Sequence, residues 1–322
     1  MVSTTGTPLS VSQRVTYNNT FNEVFAMPDT KLSTTYYFPW YDQYSAGMTD
    51  WLMIGNTGAT TAAVDVYFGT YRVGTYYISP NSAIAPTYAG WYGGPIKVVP
   101  TPGTTAQNIV ASQRVLYNGK FNETMGIPAQ QTSTVYTFPW YDGTNGMSDW
   151  IMVGNVSTYI ATATIYFGTY AAASANIAPS SYWTPSFPGW SGGPITVVSN
   201  QKIIASQRVL YNGSFNEVMG TSLLQTSTAY YFPWYDNNSS WGMNGDWLMV
   251  GNPSSTQTAS VNVKIGPYSY SYSIGPWQVK SVVAPANTTT GPVKVTSNIP
   301  IYASQRVIYY SSFNETTGMP LQ

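Results

Sequence analysis

The chain has 322 residues, of which 43% are hydrophobic and only 7% are charged, and its 12 basic side chains balance 12 acidic ones. A chain of this length and aromatic content predicts about two or three globular domains, and the balanced charge disfavours nucleic acids and anionic membranes as partners. Cysteine and histidine are absent, which excludes disulfides, the usual zinc or iron sites and Ser-His or Cys-His catalysis.

The composition also favours an extracellular or cell-surface location. With so few charges, the surface must consist of Ser, Thr, Asn, Gln, Tyr and Gly, an uncharged polar coat common on extracellular repeat proteins. The segment Met1–Ser12 lacks the basic and apolar stretches of a signal peptide, and no apolar run reaches the roughly 18 residues of a membrane span. Secretion is therefore an expectation from composition. We also expect no membrane insertion and no cofactor.

A short segment is repeated four times along the chain and a longer one three times. Ser-Gln-Arg-Val begins at residues 12, 112, 206 and 304, and Phe-Asn-Glu follows at 21, 121, 215 and 313. Phe-Pro-Trp-Tyr-Asp begins the three longer segments, the bodies, at 38, 138 and 232, and each body closes on Gly-Gly-Pro-Ile or, in the last copy, Gly-Pro-Val. Spacings of 100, 94 and 98 residues suit small sandwich domains and exceed any solenoid repeat.

The chain ends show where each unit begins. Gly318–Gln322 matches Gly126–Gln130, and the next unit opens at Gln131. We therefore predict an orphan N-terminal segment at 1–30 and units at 31–130, 131–224 and 225–322. One Ser-Gln-Arg-Val segment is left without a body.

The first predicted element is a β-hairpin at Val11–Val24, and its later copies carry the two-residue turns Asn118-Gly119 and Asn212-Gly213, which are typical of type I′ hairpins. This turn places an Arg opposite a Glu in every copy: Arg14 with Glu23, Arg114 with Glu123, Arg208 with Glu217 and Arg306 with Glu315. We interpret the pairs as partly buried contacts that fix the hairpin register, with recognition by Arg as the alternative.

Within a body, short β-branched and aromatic runs alternate with Gly, Pro, Asn and Ser, and no helical periodicity is present. In the second unit and its closing hairpin these runs are Ser133–Tyr141, Asp149–Asn155, Ala161–Tyr170, Ala173–Ile177, Ile195–Val198, Ile203–Tyr211 and Ser214–Met219. About seven strands predict an Ig-like antiparallel β-sandwich. The predicted fold class is all-β, with three tandem sandwiches and an extra N-terminal hairpin.

Three recurring carboxylate pairs are the candidates for chemistry: Asp42 with Asp50, Asp142 with Asp149, and Asp236 with Asp246. A glycosidase needs two such groups in one cleft, but three tandem copies at unequal spacing argue against an enzyme. Calcium is a weak alternative, because Asp and Asn oxygens suit it. The structural interpretation is that these Asp residues cap loop N–H groups beside a buried Trp.

Tryptophan and asparagine supply the other candidates. The repeated Trp residues, including Trp40, Trp91 and Trp190, are expected mainly in the core, with an exposed sugar-stacking platform as the alternative. Tyr268, Tyr270 and Tyr272 share one strand face, suited either to a neighbouring unit or to a glycan. Glycosylation sequons occur at Asn18, Asn122, Asn155, Asn212, Asn237, Asn238, Asn287 and Asn314.

The strings ASQRVLYNGSFNE, FPWYD, DWLMVGN and GGPI together resemble the tandem β-sandwich repeats, each of roughly 95 residues, of bacterial secreted and cell-surface proteins. The resemblance implies an extracellular stalk, adhesive or assembly role without assigned chemistry. We therefore expect a non-enzymatic structural protein whose partners are other copies of itself, a subunit of a self-assembling fibre or surface layer. A carbohydrate-binding or adhesive array, with cell-surface glycans as partners, is the alternative. Strand addition by the orphan hairpin would use Val11, Val15, Tyr17, Phe21 and Val24.

Overall fold

The structure is a computed structural model that describes residues 9–144 and 146–321. This part of the chain consists of β-strands joined by loops and four short 3₁₀ helices, with no α-helix among the described residues. The all-β prediction is confirmed. No helix within the described ranges has the length and apolar character needed to cross a bilayer.

The N-terminal segment forms a two-stranded antiparallel hairpin. Its strands are β1 (Ser12–Tyr17) and β2 (Thr20–Phe25), and Arg14 lies opposite Glu23. Asn18 and Asn19 form the turn with φ values of 46° and 56°, the left-handed conformation that a type I′ turn requires. The outer edge of β1 pairs with no other described strand.

The first unit is a sandwich of two antiparallel sheets. Its strands are β3 (Tyr36–Phe38), β4 (Tyr41–Asp42), β5 (Met48–Asn56), β6 (Ala62–Phe68), β7 (Tyr71–Ile78), β8 (Ser82–Ile84), β9 (Tyr92–Gly93), β10 (Ile96–Pro100), β11 (Ile109–Tyr117), β12 (Lys120–Met125) and β13 (Ile127–Pro128), with a 3₁₀ helix before β3 at Asp29–Lys31. One sheet has the order β13-β3-β10-β6-β7 and the other β12-β11-β5-β8, while β4 pairs with β9 at one corner.

The second unit repeats this arrangement. Its elements are a 3₁₀ helix (Ala129–Gln131), β14 (Ser133–Phe138), β15 (Tyr141–Asp142), β16 (Met147–Asn155), β17 (Ala161–Phe167), β18 (Tyr170–Ile177), β19 (Tyr182–Trp183), β20 (Ser191–Gly192), β21 (Ile195–Tyr211), β22 (Ser214–Met219) and β23 (Thr221–Ser222). The strand order β18-β17-β21-β14-β23 forms one sheet. In the other sheet the second half of β21 lies between β16 and β22.

The third unit has the same order again. Its elements are two 3₁₀ helices (Leu223–Gln225 and Ser239–Trp241), β24 (Ser227–Phe232), β25 (Tyr235–Asp236), β26 (Met243–Gly251), β27 (Ala259–Ile265), β28 (Tyr268–Ile274), β29 (Val279–Val282), β30 (Thr289–Thr290), β31 (Val293–Tyr309), β32 (Ser312–Thr317) and β33 (Met319–Pro320). In each unit a short last strand, β13, β23 or β33, returns to the unit's first strand.

One long strand belongs to both sheets in the second and third units. The sequence predicts two strands, Ile195–Val198 and Ile203–Tyr211, but β21 runs without interruption from Ile195 to Tyr211. Its first half pairs with β14 and β17 and its second half with β16 and β22. In the first unit the corresponding β10 and β11 are separate, because Ile96 and Ile109 are 13 positions apart, whereas their equivalents Ile195 and Ile203 are only 8 apart, and the extra residues form a loop.

The large aromatic side chains in the core of each unit are Tyr and Phe, packed among Val, Ile, Leu and Ala. Tyr36, Phe38 and Tyr41 are fully buried, as are Tyr136, Phe138, Tyr141, Tyr230, Phe232 and Tyr235 in the other units. The repeated Trp residues are not the main core side chains: Trp40 is buried outside the core clusters, Trp91 is partly buried and packs on the core of the first unit, and Trp190 is 40% exposed. Residues 36 and 38 point into the core by strand alternation, whereas Pro39 and Trp40 lie between β3 and β4, at the corner before the buried Tyr41.

Candidate functional site: the hairpin ring

The four hairpins pack side by side around one axis, although three of them also belong to sandwiches. The inner strand of each hairpin contacts the next, in the order β2, β12, β22, β32 and back to β2. We call the four hairpins, packed through these inner strands, the hairpin ring. The orphan hairpin therefore occupies an equivalent position among the other three, and it does so within its own chain.

Asparagine side chains join neighbouring hairpins in the ring. The Oδ1 atom of Asn22 accepts the backbone N–H of Glu123 at 3.2 Å, and the equivalent contacts link the other three junctions in the same rotational sense. Asn122 accepts from Glu217 at 3.1 Å, Asn216 from Glu315 at 3.2 Å and Asn314 from Glu23 at 3.3 Å. These side chains are buried and stand in for the backbone partners that inner strands would have in a continuous sheet.

Each Arg–Glu pair lies on the ring. The N···O distances are 2.7 Å for Arg14–Glu23, 2.8 Å for Arg114–Glu123, 2.6 Å for Arg208–Glu217 and 2.7 Å for Arg306–Glu315. The second carboxylate oxygen of every Glu accepts a serine hydroxyl at 2.6 Å, from Ser12, Ser112, Ser206 or Ser304. The Glu carboxylates are thus buried with both oxygens hydrogen-bonded, a condition for a charge to be tolerated there.

The bodies are attached to the ring at the Phe-Pro-Trp-Tyr-Asp corner, and each corner is held by two successive hairpins. In the first unit Nε2 of Gln113, on the unit's own closing hairpin, donates to the Trp40 carbonyl at 2.9 Å. Arg208, on the next hairpin, lies over the ring of Trp40 at 5.9 Å. A cation over an aromatic face is attractive, by about 0.5–1 kcal/mol at an exposed site. The Trp residues therefore mark junctions between units.

The other two corners follow the same rule. Gln207 binds the Trp140 carbonyl at 2.8 Å, and Arg306 donates to that same carbonyl at 3.0 Å. In the third unit Gln305 binds the Trp234 carbonyl at 3.0 Å, and the cation over the Trp234 ring, at 5.3 Å, is Arg14 of the orphan hairpin. Arg14 therefore closes the ring from the first hairpin onto the last body.

The paired aspartates hold the corner together. Asp50 Oδ2 accepts the N–H of Asp42 at 3.0 Å and Nε2 of Gln113 at 2.6 Å, and Asp42 Oδ1 accepts two loop N–H groups. Asp149 and Asp246 make the equivalent bonds to Asp142 and Asp236. Among the described residues no cluster of three or more acidic side chains could hold a metal ion. In this arrangement the Asp carboxylates cap loop N–H groups and hold the Gln amide.

Burial makes the inner aspartates weaker acids than ordinary carboxyl groups. Desolvation raises the pKa of Asp50, Asp149 and Asp246 well above the ordinary carboxyl value, and hydrogen bonds from the corner only partly offset it. Each also interacts electrostatically with the Arg of the neighbouring hairpin, which lowers the pKa. The buried tyrosine of each corner bridges the loops: the Tyr141 hydroxyl donates to the Asp149 carbonyl at 2.6 Å and accepts the N–H of Phe187 at 2.7 Å.

One end of the ring encloses a cavity of about 740 Å³. Its wall is formed by the ends of the four inner strands and the loops that follow them, and includes Val24, Met27, Met125, Val218 and Met319. Val24 is one of the five residues predicted for assembly. Of the others, Phe21 is 3% exposed and packs on Met243, so it is not available to a second subunit, which corrects that part of the prediction. Tyr17 is 47% exposed, and Val11 and Val15 are partly exposed.

Three of the predicted glycosylation sites are incompatible with the folded chain. Asn122, Asn155 and Asn314 are at most 2% exposed. The amide nitrogen of Asn155 donates to three loop carbonyls, while Asn122 and Asn314 take part in the ring. A glycan needs a solvent-facing amide nitrogen, which these positions do not provide. Asn18, Asn212 and Asn287 are exposed, and Asn237 and Asn238 are partly so.

Two exposed aromatic pairs lie away from the ring, at the same place in the first two units. Trp190 stacks on Tyr170 with ring centroids 5.4 Å apart and planes 22° apart, and Trp91 lies 5.2 Å from Tyr71. The tyrosines are 58% and 62% exposed. In the third unit, edge strand β28 carries Tyr268, Tyr270 and Tyr272, of which the last two pack partly on their own unit's core.

The ring itself is the feature that sequence reasoning missed. No local pattern predicts it, although the excess of one hairpin over the bodies was a signal that the hairpins pack with one another. No family model and no curated protein matches the chain. Among solved structures, one chain of a 1.5-MDa bacterial ice-binding adhesin aligns with 84% of this chain and 91% of its own length, at 12% identity and a TM-score of 0.15. A TM-score that low supports no argument about fold or function.

Proposed function

We propose that this chain is a non-enzymatic extracellular structural protein, a subunit of a fibre or surface layer that assembles with other copies by strand addition. The hairpin ring is the observation that carries the proposal. All four Glu residues of the chain and four of its five Arg residues lie in the ring, which joins the three sandwiches to one another. Such use of scarce charge suits a protein whose task is to keep its shape.

The free edge of β1 supports assembly by strand addition. A strand edge exposes N–H and C=O groups that pair readily with another chain unless the edge is covered or blocked. In the described part of the chain β1 is paired on the β2 side only, while Gln13, Arg14 and Thr16 face solvent. This edge is the surface through which we propose that neighbouring subunits meet.

Electron microscopy and light scattering test the assembly role. We expect the purified chain to form fibres or sheets as its concentration rises, and a proline at Thr16 to prevent this, because proline removes an edge N–H. Thr16→Ala is the matched control and should assemble normally. A chain that stays monomeric over the whole concentration range would overturn the proposal.

Glycan binding is the second candidate, favoured by the two exposed aromatic pairs. Flat rings such as those of Trp190 and Tyr170 suit the apolar face of a sugar, and their repetition in the first unit would give two sites per chain. Binding to a glycan array should be lost in a Trp91→Ala, Trp190→Ala double variant. It should be kept in Trp241→Ala, which removes a Trp that is 69% exposed and lies outside the pairs.

A further inference from the structure

Three bodies occupy only three of the four equivalent positions around the hairpin ring. Each body sits between two successive hairpins, where a Gln of the first binds the Trp carbonyl and an Arg of the second contacts the Trp. The bodies lie between the second and third, third and fourth, and fourth and first hairpins. The position between the first hairpin (β1–β2) and the second (β11–β12) has no body among the described residues.

The glutamines show that this position is built to receive one. Gln113, Gln207 and Gln305 are 1%, 0% and 2% exposed, and each donates to a Trp carbonyl and to a buried Asp carboxylate. Gln13 is the equivalent residue of the first hairpin, and it is exposed. The Gln13 side chain is therefore uncovered, whereas the other three are buried against a Trp carbonyl and an Asp carboxylate.

The arginines point to the same position. The side chains of Arg208 and Arg306 are 8% and 11% exposed, because each has a body paired to its own hairpin and a Trp corner against it. Arg14 contacts the Trp234 corner of the third body, but no described body pairs with its own hairpin, and its side chain is 30% exposed. The first body pairs with the hairpin of Arg114, but no described Trp corner contacts this residue, and its side chain is 35% exposed. A single body at the fourth position would cover both.

The backbone of β1 is in register for that body. In the second hairpin, β11 pairs with β5 so that Gln113 lies opposite Leu52, Arg114 opposite Trp51 and Val115 opposite Asp50. The two-residue turn between β1 and β2, and the bond from the Ala26 N–H to the Val11 carbonyl, direct the N–H groups of Ser12, Arg14 and Thr16 away from β2. The same register on β1 would place an incoming Trp opposite Arg14 and an incoming Asp opposite Val15.

We propose that the fourth position binds a further body of the same repeat class, carried by a second polypeptide, whose Asp-Trp strand adds antiparallel to β1. In each of the three described bodies the Asp-Trp strand already pairs with that body's own hairpin. This inference rests on the proposed assembly role, and it names the partner of the β1 edge by its chemistry: a β-strand with an Asp-Trp pair three residues from its start and a Gly-Asn at its end.

A synthetic peptide tests the proposal on the intact chain. The probe is the fluorescently labelled sequence Met-Ser-Asp-Trp-Ile-Met-Val-Gly-Asn of β16, and its binding is followed by fluorescence anisotropy. The control peptide has Ala in place of Asp and Trp. We expect saturable binding of the first peptide only, with slower hydrogen exchange of the β1 amides in the complex.

Three variants locate the binding. Thr16→Pro removes an outward N–H and should abolish binding, while Thr16→Ala should leave it unchanged. Gln13→Ala should weaken it at least about tenfold, since it removes a hydrogen bond to a charged group. All three substitutions are at the exposed positions Gln13 and Thr16, so circular dichroism should show an intact fold.

Two results would overturn the inference. One is the absence of saturable binding up to about 1 mM peptide, and the other is binding that Thr16→Pro leaves unchanged. If the chain forms particles through β1 yet does not bind the peptide, the assembly role stands and the fourth-body inference falls. If the peptide binds but no particles form, the inference stands without self-assembly.

Discussion

Removing one arginine from the ring should cost much more in a filled position than in the open one. Arg208 donates to Glu217 through two nitrogens, with distances of 2.6 and 3.2 Å to Oε2, and the two side chains are 8% and 1% exposed. Arg208→Met leaves the Glu217 carboxylate buried without its cation, so we expect the free energy of unfolding to fall by about 3–5 kcal/mol. Arg114→Met is the matched control, and we expect a loss of about 1 kcal/mol, because the Arg114 guanidinium is already partly hydrated.

The assay is urea unfolding followed by Trp fluorescence, together with native-state hydrogen exchange of the β22 and β12 amides, which resolves local opening. A double variant, Arg208→Met with Glu217→Met, should recover most of the loss, because no buried charge remains unpaired. Equal losses for Arg208→Met and Arg114→Met would refute the reasoning, since they would show that closure by a Trp corner adds nothing to the pair.

Three further predictions concern the corner. Gly193→Ala should cost about 3 kcal/mol in thermal unfolding, because its Cβ would lie 2.0 Å from the Pro139 carbonyl oxygen. Gly189→Ala meets no atom within 4 Å and should lose only about 1 kcal/mol, from its left-handed φ of 84°; similar losses for both would contradict this. Tyr141→Phe should lower the free energy of unfolding by about 1–3 kcal/mol, since the Phe187 N–H loses its partner and the Asp149 carbonyl keeps only the Ser186 hydroxyl; a change below about 0.5 kcal/mol would show that water replaces the tyrosine hydroxyl. Because burial raises the pKa of Asp149, the folded chain binds a proton more tightly than the unfolded chain, so stability should fall as pH rises from about 4 through the raised pKa, and Asp149→Asn should reduce the slope of Tm against pH.

Local chemistry explains which parts of the fold could be predicted. The hairpin register follows from a two-residue turn with Asn in the left-handed region, so the opposition of Arg208 and Glu217 was readable from a spacing of nine residues. Strand positions follow from alternating β-branched and aromatic runs. By contrast, the continuity of β21 depends on how many residues separate the two predicted strands. The four residues Ser199–Lys202 stay in the ladder, and β31 continues in the same way even through Pro300.

The site was harder to predict, because its contacts join residues far apart in sequence. Asn22 and Glu123 are about a hundred residues apart, and Arg306 reaches Trp140 across 166 positions. Hydrophobicity alone placed the Trp residues in the core, but a Trp that follows Pro39 or its equivalents leaves the strand and faces the neighbouring hairpin. Charge was the better guide, since a chain with only five Arg residues places four of them at these junctions.

A closed ring also fixes how many repeats can be useful. Solenoid repeats stack end to end and lengthen without limit, because each new repeat presents the same surface as the last. Here the asparagine contacts turn through one full circuit in four steps, so a fifth hairpin would find no free neighbour. Longer relatives built on this plan should therefore gain repeats in sets of four, as separate discs rather than as one growing rod.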